Sequence, residues 1–522
     1  MEMESPIVTV AEGKLRGNQR TNLDGEKFYS FLGIPYGKPP IGNLRFKAPE
    51  PAEPWVGIRD ATKQGPCSIH RSEITRKVEG SEDCLNLNVY SKKLPSEDSS
   101  LKPVMVWIHG GGFVVGSNNV QHYGPEHLML EDIVLVTINY RLGFLGFLDV
   151  DDPSLEVPDN AGIRDQRLAL QWVQKNIKNF NGDPDNVTVF GQSAGGMSIH
   201  FHILSPASKG LFHKAIMQSG CLFTKPDLGS AVVKMAQLIN ENTKTEREAL
   251  DVLRNIPEDK FFGFQTEYLE KYPRSRPFLK NEKLNSTQII PMEEIIKSGQ
   301  YNKVPILLGY TDNEGIVKDI LDTTDLLGSG WEPIFEFAQS AHLEEDDPKR
   351  QIVLDKLGKF YSQKKYASEK YMWSTDSLFI LPAIISAKLH TETSSEPVYL
   401  YNVSLDAGLN FWKRLFDKTH YSGAAHCDEL GYLFNTAFAS HKLHKGELEI
   451  LAVRRFVKLW TNFAKYGNPT PAGNDLNITW KPVDKNEVHY LDIGKELIPS
   501  TNPVPDRVKI WNEIYDFIGD KK

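Results

Sequence analysis

The residue in this sequence that is best suited to chemistry is Ser193, in the segment Gly-Gln-Ser-Ala-Gly at residues 191–195. Glycines two residues before and after a serine let the backbone turn sharply, which exposes the serine hydroxyl. The run NVTVF before it has the content of a buried strand, and the run MSIHFHIL after it can form a helix. A serine at such a turn is a candidate nucleophile if a base lies beside it; without a base, the turn would be structural only.

A base for Ser193 must come from elsewhere in the chain, and His426 is the best placed of the 14 histidines. It lies downstream of the apolar run VYLYNV, in the segment GAAHCDEL, where small residues permit a close approach. In folds with a nucleophile at this kind of turn, an acid and then the histidine follow the serine along the chain. The acid orients the imidazole and stabilises its charged form. After PILLGY, both Asp312 and Glu314 are candidates, and the residues alone do not decide between them.

A glycine-rich segment, His109 to Phe113, directly follows the strand-like run PVMVWI. It fits the HGGG pattern, whose backbone N–H groups can donate to the negative charge on a carbonyl oxygen under attack. Gly111 and Gly112, with the N–H of Ala194, would supply three donors. A phosphate-binding loop is the alternative, but the lysine and the serine or threonine that complete such a loop do not follow.

The elements that must position these residues are alternating strands and helices. Apolar runs predict strands at 103–109, 132–140, 186–190, 214–218, 305–310 and 398–403, and helical spacing predicts a helix within 160–180. This alternation indicates an α/β fold with a mostly parallel sheet and helices on both faces. We expect helical insertions at about 232–297 and 322–385 to form a cap over one end of the sheet. No repeat or long linker divides the chain, so we expect one domain spanning residues 1–522.

Composition argues against several other classes of protein. The formal charge is −8, and the chain lacks the clustered basic residues that nucleic-acid binding needs. The N-terminus, MEMESPIVTV, does not fit a signal peptide, and no run of about 18 apolar residues predicts a membrane span. We therefore expect a cytoplasmic protein. The four cysteines include no pair two residues apart, so we expect no metal site, and we expect no cofactor.

Several longer motifs resemble those of the type-B carboxylesterase family, also called the cholinesterase-like family. SEDCLNLNVY and VFGQSAGGMSIH look like its two signatures. The resemblance runs from VTVAEGKLRG and FLGIPYGKPPIGNLRFKAP near the N-terminus to NFAKYGNPTP late in the chain. It implies an α/β-hydrolase fold and an enzyme that hydrolyses carboxylic esters through an acyl-serine intermediate.

The resemblance also implies roles for individual residues. It favours Glu314 over Asp312 as the acid, and it implies the catalytic triad Ser193, Glu314 and His426 with oxyanion donors at Gly111, Gly112 and Ala194. It further implies two buried ion pairs and a disulfide, formed by Arg45 with Glu82, Arg141 with Asp165, and Cys67 with Cys84.

Two departures from the family pattern bear on the substrate. Most members have glutamate before the serine, whereas this chain has Gln192, as in the GQSAG pattern of juvenile hormone esterases. The segment between Cys67 and Cys84 has no tryptophan, so the aromatic platform that cholinesterases use for choline is absent. The chain most resembles an insect intracellular α-esterase, which implies detoxification of broad-range esters and covalent inhibition by organophosphates. The alternatives are a juvenile hormone esterase and an inert neuroligin-like adhesion module, although the latter has lost triad residues.

Overall fold

A computed structural model of the chain describes residues 5–73, 75–95, 100–221, 230–272, 279, 283–285, 288–289, 292–324, 343, 346–363, 371–437, 441 and 443–519. In these residues the strands are β1 (Ile7–Val10), β2 (Gly13–Arg16), β3 (Asn18–Thr21), β4 (Lys27–Pro35), β5 (Ile58–Asp60), β6 (His70–Arg71), β7 (Val78–Glu79), β8 (Asn86–Ser91), β9 (Lys102–Ile108), β10 (Val134–Ile138), β11 (Gly182–Gln192), β12 (Lys214–Gln218), β13 (Lys283–Asn285), β14 (Gln288–Ile289), β15 (Ile306–Thr311), β16 (Val398–Val403), β17 (His489–Ile493) and β18 (Leu497–Thr501).

The α-helices of the same residues are α1 (Gly143–Phe147), α2 (Ala161–Asn176), α3 (Ala194–Leu204), α4 (Val232–Gln237), α5 (Glu246–Arg254), α6 (Glu258–Lys271), α7 (Met292–Ser298), α8 (Ile316–Thr324), α9 (Arg350–Tyr361), α10 (Met372–Thr375), α11 (Leu381–Thr393), α12 (Phe411–Leu415), α13 (Leu430–Leu433), α14 (Glu447–Tyr466) and α15 (Pro505–Ile518). Short 3₁₀ turns occur at Gly42–Leu44, Leu128–Leu130, Pro153–Leu155, Ile177–Phe180 and Pro206–Ser208, and a π-helical turn at Asp376–Ile380.

The main sheet has 11 strands in the order β18-β17-β16-β15-β12-β11-β9-β10-β8-β4-β3. Its central strands, from β10 to β17 in this order, pair in parallel, and the pairs at both edges are antiparallel. In an open sheet of this kind, ligands bind at the carboxyl ends of the parallel strands. The loops that follow β9, β11 and β15 are therefore expected to meet at one edge.

Both faces of the sheet are buried, because alternate residues of a strand enter two different cores. Val104 and Val106 of β9 belong to a core that includes residues of α2, α3 and α11. Met105 and Trp107, between them, belong to a second core that is closed by α14. This two-sided burial explains why the central strands are continuous apolar runs in the sequence.

The predicted α/β-hydrolase architecture is confirmed: the six apolar runs are β9, β10, β11, β12, β15 and β16, and the helix expected within 160–180 is α2. The described residues of the segment 232–297 are mainly helical, in α4 to α7, but they also include the short antiparallel pair β13–β14, which we did not expect. Much of the segment 322–385 lies outside the described residues. No helix in the described part of the chain combines the length and apolarity needed to cross a bilayer.

Candidate active site

The turn between β11 and α3 holds Ser193 in a backbone conformation that is rare for a residue with a side chain, with φ 56° and ψ −121°. The neighbouring glycines make this turn possible. A Cβ atom on Gly195 would lie 2.0 Å from the carbonyl oxygen of Ile108 in β9, and one on Gly191 would lie 2.5 Å from it. Ser193 is partly exposed, whereas Gln192 and Ala194 are buried. The strained turn therefore presents the serine hydroxyl at the carboxyl edge of the sheet.

His426 lies against Glu314, although 112 residues separate them in the chain. The ring Nδ1 of His426 donates to Glu314 Oε2 at 2.5 Å, and the backbone N–H of Thr311 donates to Glu314 Oε1 at 2.7 Å. The histidine is 5% exposed and the glutamate is fully buried. Because Nδ1 carries the hydrogen of the bond to Glu314, Nε2 is unprotonated and has a lone pair that can take a proton from a hydroxyl group.

The other candidate acid, Asp312, has a different partner. Its Oδ1 accepts a 2.7 Å hydrogen bond from the backbone N–H of Ala424, two residues before His426. The backbone N–H of Asn313 donates to the carbonyl oxygen of Ala424 at 3.1 Å. Asp312 therefore ties the loop after β15 to the histidine loop, while Glu314 contacts the imidazole itself.

The side chain of Gln192 packs against the histidine ring. Its amide nitrogen is 3.0 Å from His426 Nε2 and 3.4 Å from His426 Nδ1. Near-equal distances to two atoms of one ring place the amide over the ring face, out of line with the in-plane lone pair of Nε2. Among the described hydrogen bonds, none joins Ser193 to His426, and such bonds often form only when substrate is bound. The aromatic ring of Phe379 also contacts the imidazole, with ring centroids 4.8 Å apart.

The glycine segment after β9 lies directly beside the serine. A Cβ atom on Gly110 would be 3.1 Å from the Cβ of Ser193. Gly111 and Gly112 have φ 108° and 59°, and the carbonyl oxygen of Gly111 accepts from the N–H groups of Val114 and Val115. Among the described hydrogen bonds, the N–H groups of Gly111, Gly112 and Ala194 donate to no protein acceptor. They are therefore available to an oxygen atom of a ligand.

His109, at the start of the same segment, supports the loop instead of taking part in proton transfer. Its ring stacks on Tyr140 with centroids 4.5 Å apart, and the Tyr140 hydroxyl donates to the His109 carbonyl oxygen at 2.9 Å. Burial lowers the pKa of His109 to about 3, so the ring is neutral at physiological pH.

A second layer of residues lies behind Glu314, and no motif in the sequence predicted it. The carboxyl group of Glu429 is buried there and accepts from Gln218 Nε2 at 3.0 Å, while Trp460 donates to Gln218 Oε1 at 3.0 Å. The backbone of Gln218 also accepts from the N–H of Ser193 at 2.8 Å. Burial, and then the negative charge of Glu314, raises the pKa of Glu429 to about 8. Its position three residues after His426 was the only signal in the sequence.

Both predicted ion pairs are present. Arg45 donates to both carboxylate oxygens of Glu82, and Arg141 donates to Asp165 at 2.6 and 2.8 Å, with all four side chains buried. The disulfide implied by the family resemblance is wrong for this structure, because Cys67 and Cys84 are free thiols.

One group of side chains in the described part of the chain could hold a metal ion, and it is formed by Cys67, His70 and Glu79. It includes none of the residues described above around Ser193.

Comparisons with known proteins give matches over nearly the whole chain. A model of the carboxylesterase family matches residues 4–511. Juvenile hormone esterase of Tribolium castaneum is 33% identical over 97% of this chain and 93% of its own length. Pyrethroid hydrolase Ces2e of Rattus norvegicus is 32% identical over 98% of this chain and 90% of its own length. The crystal structure of juvenile hormone esterase from Manduca sexta, with OTFP covalently attached, superposes with a TM-score of 0.83 at 30% identity, covering 98% of this chain and 100% of that one.

Proposed function

The chain belongs to the carboxylesterase family and is a serine hydrolase of carboxylic esters, and we propose that Ser193, His426 and Glu314 are its catalytic triad. The observation that carries the assignment is the 2.5 Å hydrogen bond from His426 to the buried Glu314, beside the strained turn at Ser193. Gly111, Gly112 and Ala194 form the oxyanion hole, because the glycine loop lies beside Ser193 at Gly110, Ala194 follows the serine, and the three N–H groups donate to no protein acceptor among the described bonds.

Acylation begins when Ser193 Oγ attacks the ester carbonyl carbon and its proton moves to His426 Nε2. The charge that develops on the carbonyl oxygen receives hydrogen bonds from the three backbone N–H groups. The imidazolium is stabilised by the carboxylate of Glu314 and then protonates the departing alkoxide. The products of this step are the alcohol and an acyl-serine.

Deacylation repeats the same steps with water. His426 takes a proton from a water molecule, the resulting hydroxide equivalent attacks the acyl carbon, and the oxyanion again lies in the glycine loop. Collapse of the tetrahedral intermediate returns the proton from His426 to Ser193 Oγ and releases the carboxylic acid. The enzyme is regenerated without a cofactor.

The assignment of the nucleophile is tested with Ser193→Ala and an organophosphate. Loss of a triad member costs on the order of 10⁴–10⁶ in rate, so hydrolysis of a p-nitrophenyl ester should fall close to background. Peptide mass spectrometry of the wild-type protein treated with an organophosphate should locate the phosphoryl group on Ser193, and Ser193→Ala should take up none. A stable adduct on another residue, or near-normal turnover by the variant, contradicts the assignment.

For the substrate, we propose broad-range carboxylic esters with a detoxifying role, acting in the cytoplasm. Two of the similar proteins are named for different substrates, juvenile hormone and pyrethroids. This supports a substrate pocket in this chain that accommodates more than one ester. A second candidate is a dedicated juvenile hormone esterase, favoured by the 33% identical relative and the TM-score of 0.83.

These two candidates are separated by kcat/KM values measured on juvenile hormone, a pyrethroid and p-nitrophenyl esters of increasing acyl length. A broad-range esterase should show values within about two orders of magnitude across these esters, because a missing or extra methylene changes selectivity by only about 10–200-fold. A preference for juvenile hormone well beyond that range supports the second candidate instead. Cell fractionation tests the proposed location. Recovery of this protein in the particulate or secreted fraction would contradict it.

A further inference from the structure

A second group of reactive side chains lies in the short hairpin of β6 and β7, which precedes β8. His70 and Glu79 are directly paired across the two strands, and Cys67 is three residues before His70. One ligand atom from each residue, a sulfur, an imidazole nitrogen and a carboxylate oxygen, lies within 4.8 Å of the other two. We propose that Cys67, His70 and Glu79 form a zinc-binding site, which is separate from the esterase site.

The hairpin brings two of the ligands to one side by its pairing. Side chains of directly opposed residues in an antiparallel pair share a face, with Cβ atoms about 4.5–5.5 Å apart. Cys67 is held next to them because its carbonyl oxygen accepts from the backbone N–H of Ser81 at 2.8 Å. The three residues are thus fixed by backbone hydrogen bonds before any metal binds.

The histidine is oriented as a metal ligand. It is 3% exposed, and its Nδ1 donates to the carbonyl oxygen of Ser68 at 2.8 Å. A hydrogen bond of this kind, from one ring nitrogen to a backbone carbonyl, fixes the tautomer and leaves the lone pair of the other nitrogen for a metal. Among the described side-chain hydrogen bonds of His70, only Nδ1 takes part, so the lone pair of Nε2 receives no hydrogen bond from these residues.

The set of donor atoms selects zinc over the common hard cations. Calcium and magnesium prefer oxygen ligands, whereas thiolate and imidazole together suit zinc. Tetrahedral zinc with bonds of about 2.0–2.3 Å holds its ligands roughly 3.3–3.8 Å apart, so the ligand atoms need to approach one another by at most about 1.5 Å. Glu79 is exposed and can rotate to allow this. A thiolate and a carboxylate would balance the double positive charge, and water would take the fourth position.

Zinc would also join the hairpin to the next layer of the fold. Ser68 lies between the ligands, and its hydroxyl accepts from the backbone N–H of Leu142 at 3.0 Å, just before α1. Metal binding to the native state alone raises stability in proportion to the logarithm of the free metal concentration over Kd. We therefore expect zinc to raise the thermal unfolding midpoint of the reduced protein.

The test is calorimetric titration of the reduced, metal-stripped full chain with Zn²⁺, and a parallel titration with Co²⁺. One ion should bind per chain, and Co²⁺ should produce the near-ultraviolet absorption of a cobalt–thiolate bond. Cys67→Ser should abolish that absorption and weaken Zn²⁺ binding by more than the roughly 10–100-fold that loss of an outer hydrogen bond costs. Glu79→Gln, at an exposed position that does not threaten folding, should also weaken binding.

Cys84→Ala is the matched control. It removes a buried thiol near Cys67 in sequence, and with it the possibility of a disulfide, but leaves all three ligands in place. It should bind Zn²⁺ as tightly as the wild type. No stoichiometric binding by the reduced protein, or binding that is unchanged in both Cys67→Ser and Glu79→Gln, would overturn the proposal.

Discussion

The two sides of Ser193 are built from different chemical groups. On the histidine side, His426 and Glu314 act through side chains that are 5% and 0% exposed and are held by hydrogen bonds of 2.5 and 2.7 Å. On the glycine side, Gly111 and Gly112 offer backbone N–H groups, and their φ angles of 108° and 59° determine where those groups point. One side therefore depends on charge and tautomer, and the other depends on backbone conformation.

This difference predicts how substitutions on each side should impair catalysis. A substitution on the histidine side can keep every atom in place and still remove the charge that stabilises the imidazolium. On the glycine side, the addition of one methyl group should be enough to lower the catalytic rate, because it changes the backbone conformation. Four substitutions test this difference between the two sides, and they are given from the largest expected effect to the smallest.

Glu314→Gln should give the largest loss. The amide oxygen can still accept from Thr311, but the amide nitrogen then faces the Nδ1–H of His426 and forces the wrong tautomer. The comparable change in a serine protease triad lowers kcat about 10⁴-fold with its geometry intact. Asp312→Asn is the control, since Oδ1 can still accept from Ala424. Steady-state kinetics and circular dichroism of both variants decide, and a severe loss only in Asp312→Asn would move the acid to that position.

Gly111→Ala should lower kcat by about 10²–10³, the cost of one lost oxyanion donor. An added Cβ would lie 2.2 Å from the carbonyl oxygen of Val115, so the loop must shift. The positive φ adds further strain. Gly263→Ala is the control, because a Cβ there meets nothing within 4 Å and lies in a helix. If Gly111→Ala kept more than a tenth of wild-type kcat, the oxyanion would not lie at this loop.

Gln192→Glu should change the pH profile more than the maximal rate. In the wild type the Gln192 amide nitrogen is 3.0 Å from His426 Nε2. A glutamate would place a carboxylate at the same face of the imidazole and would favour the protonated ring. An opposite charge within about 4–6 Å shifts such a titration by roughly 1–3 units. The acid limb of kcat/KM against pH should therefore move to higher pH, with about a tenfold loss near neutrality. Gln192→Met, uncharged and similar in length, should leave the limb in place; equal profiles for all three proteins would contradict this prediction.

The sequence was sufficient for the parts of the site that depend on local pattern. The central strands were predicted because both of their faces are buried, which makes them continuous apolar runs. Ser193, His426 and the glycine loop were predicted as candidates because each follows such a strand, in the chain order that this fold requires.

The residues alone did not choose between the two acids, because Asp312 and Glu314 lie within one turn after β15 and only the folded loop shows which one meets the imidazole. The residues behind Glu314 were missed for a related reason. Glu429 and Gln218 are 211 positions apart, and Gln192 meets His426 across 234, so no local pattern could indicate these contacts.

The smallest effect is expected from Glu429→Gln, and it concerns stability on the histidine side. Burial raises the pKa of this carboxyl group from 4.5 to about 8, so between these values the folded protein keeps a proton that the unfolded chain releases. The free energy of unfolding should therefore fall as pH rises through this window. Glutamine cannot ionise, and its oxygen can still accept from Gln218. The thermal unfolding midpoint of the variant, relative to wild type, should thus rise steadily from pH 5 to pH 8.

Glu131→Gln is the control for the same measurement, because the pKa of Glu131 is lowered whereas that of Glu429 is raised. Lys465 and Lys458 donate to Glu131 and outweigh its partial burial, so its pKa is lowered below 4.5 and the group is ionised in both states above pH 5. Its loss should lower the unfolding midpoint by an amount that does not change between pH 5 and pH 8. A constant difference for Glu429→Gln as well would mean that this carboxyl group titrates normally. The buried negative charge of Glu314 would then have no measurable effect on its neighbour, and the histidine side would depend less on charge than its burial implies.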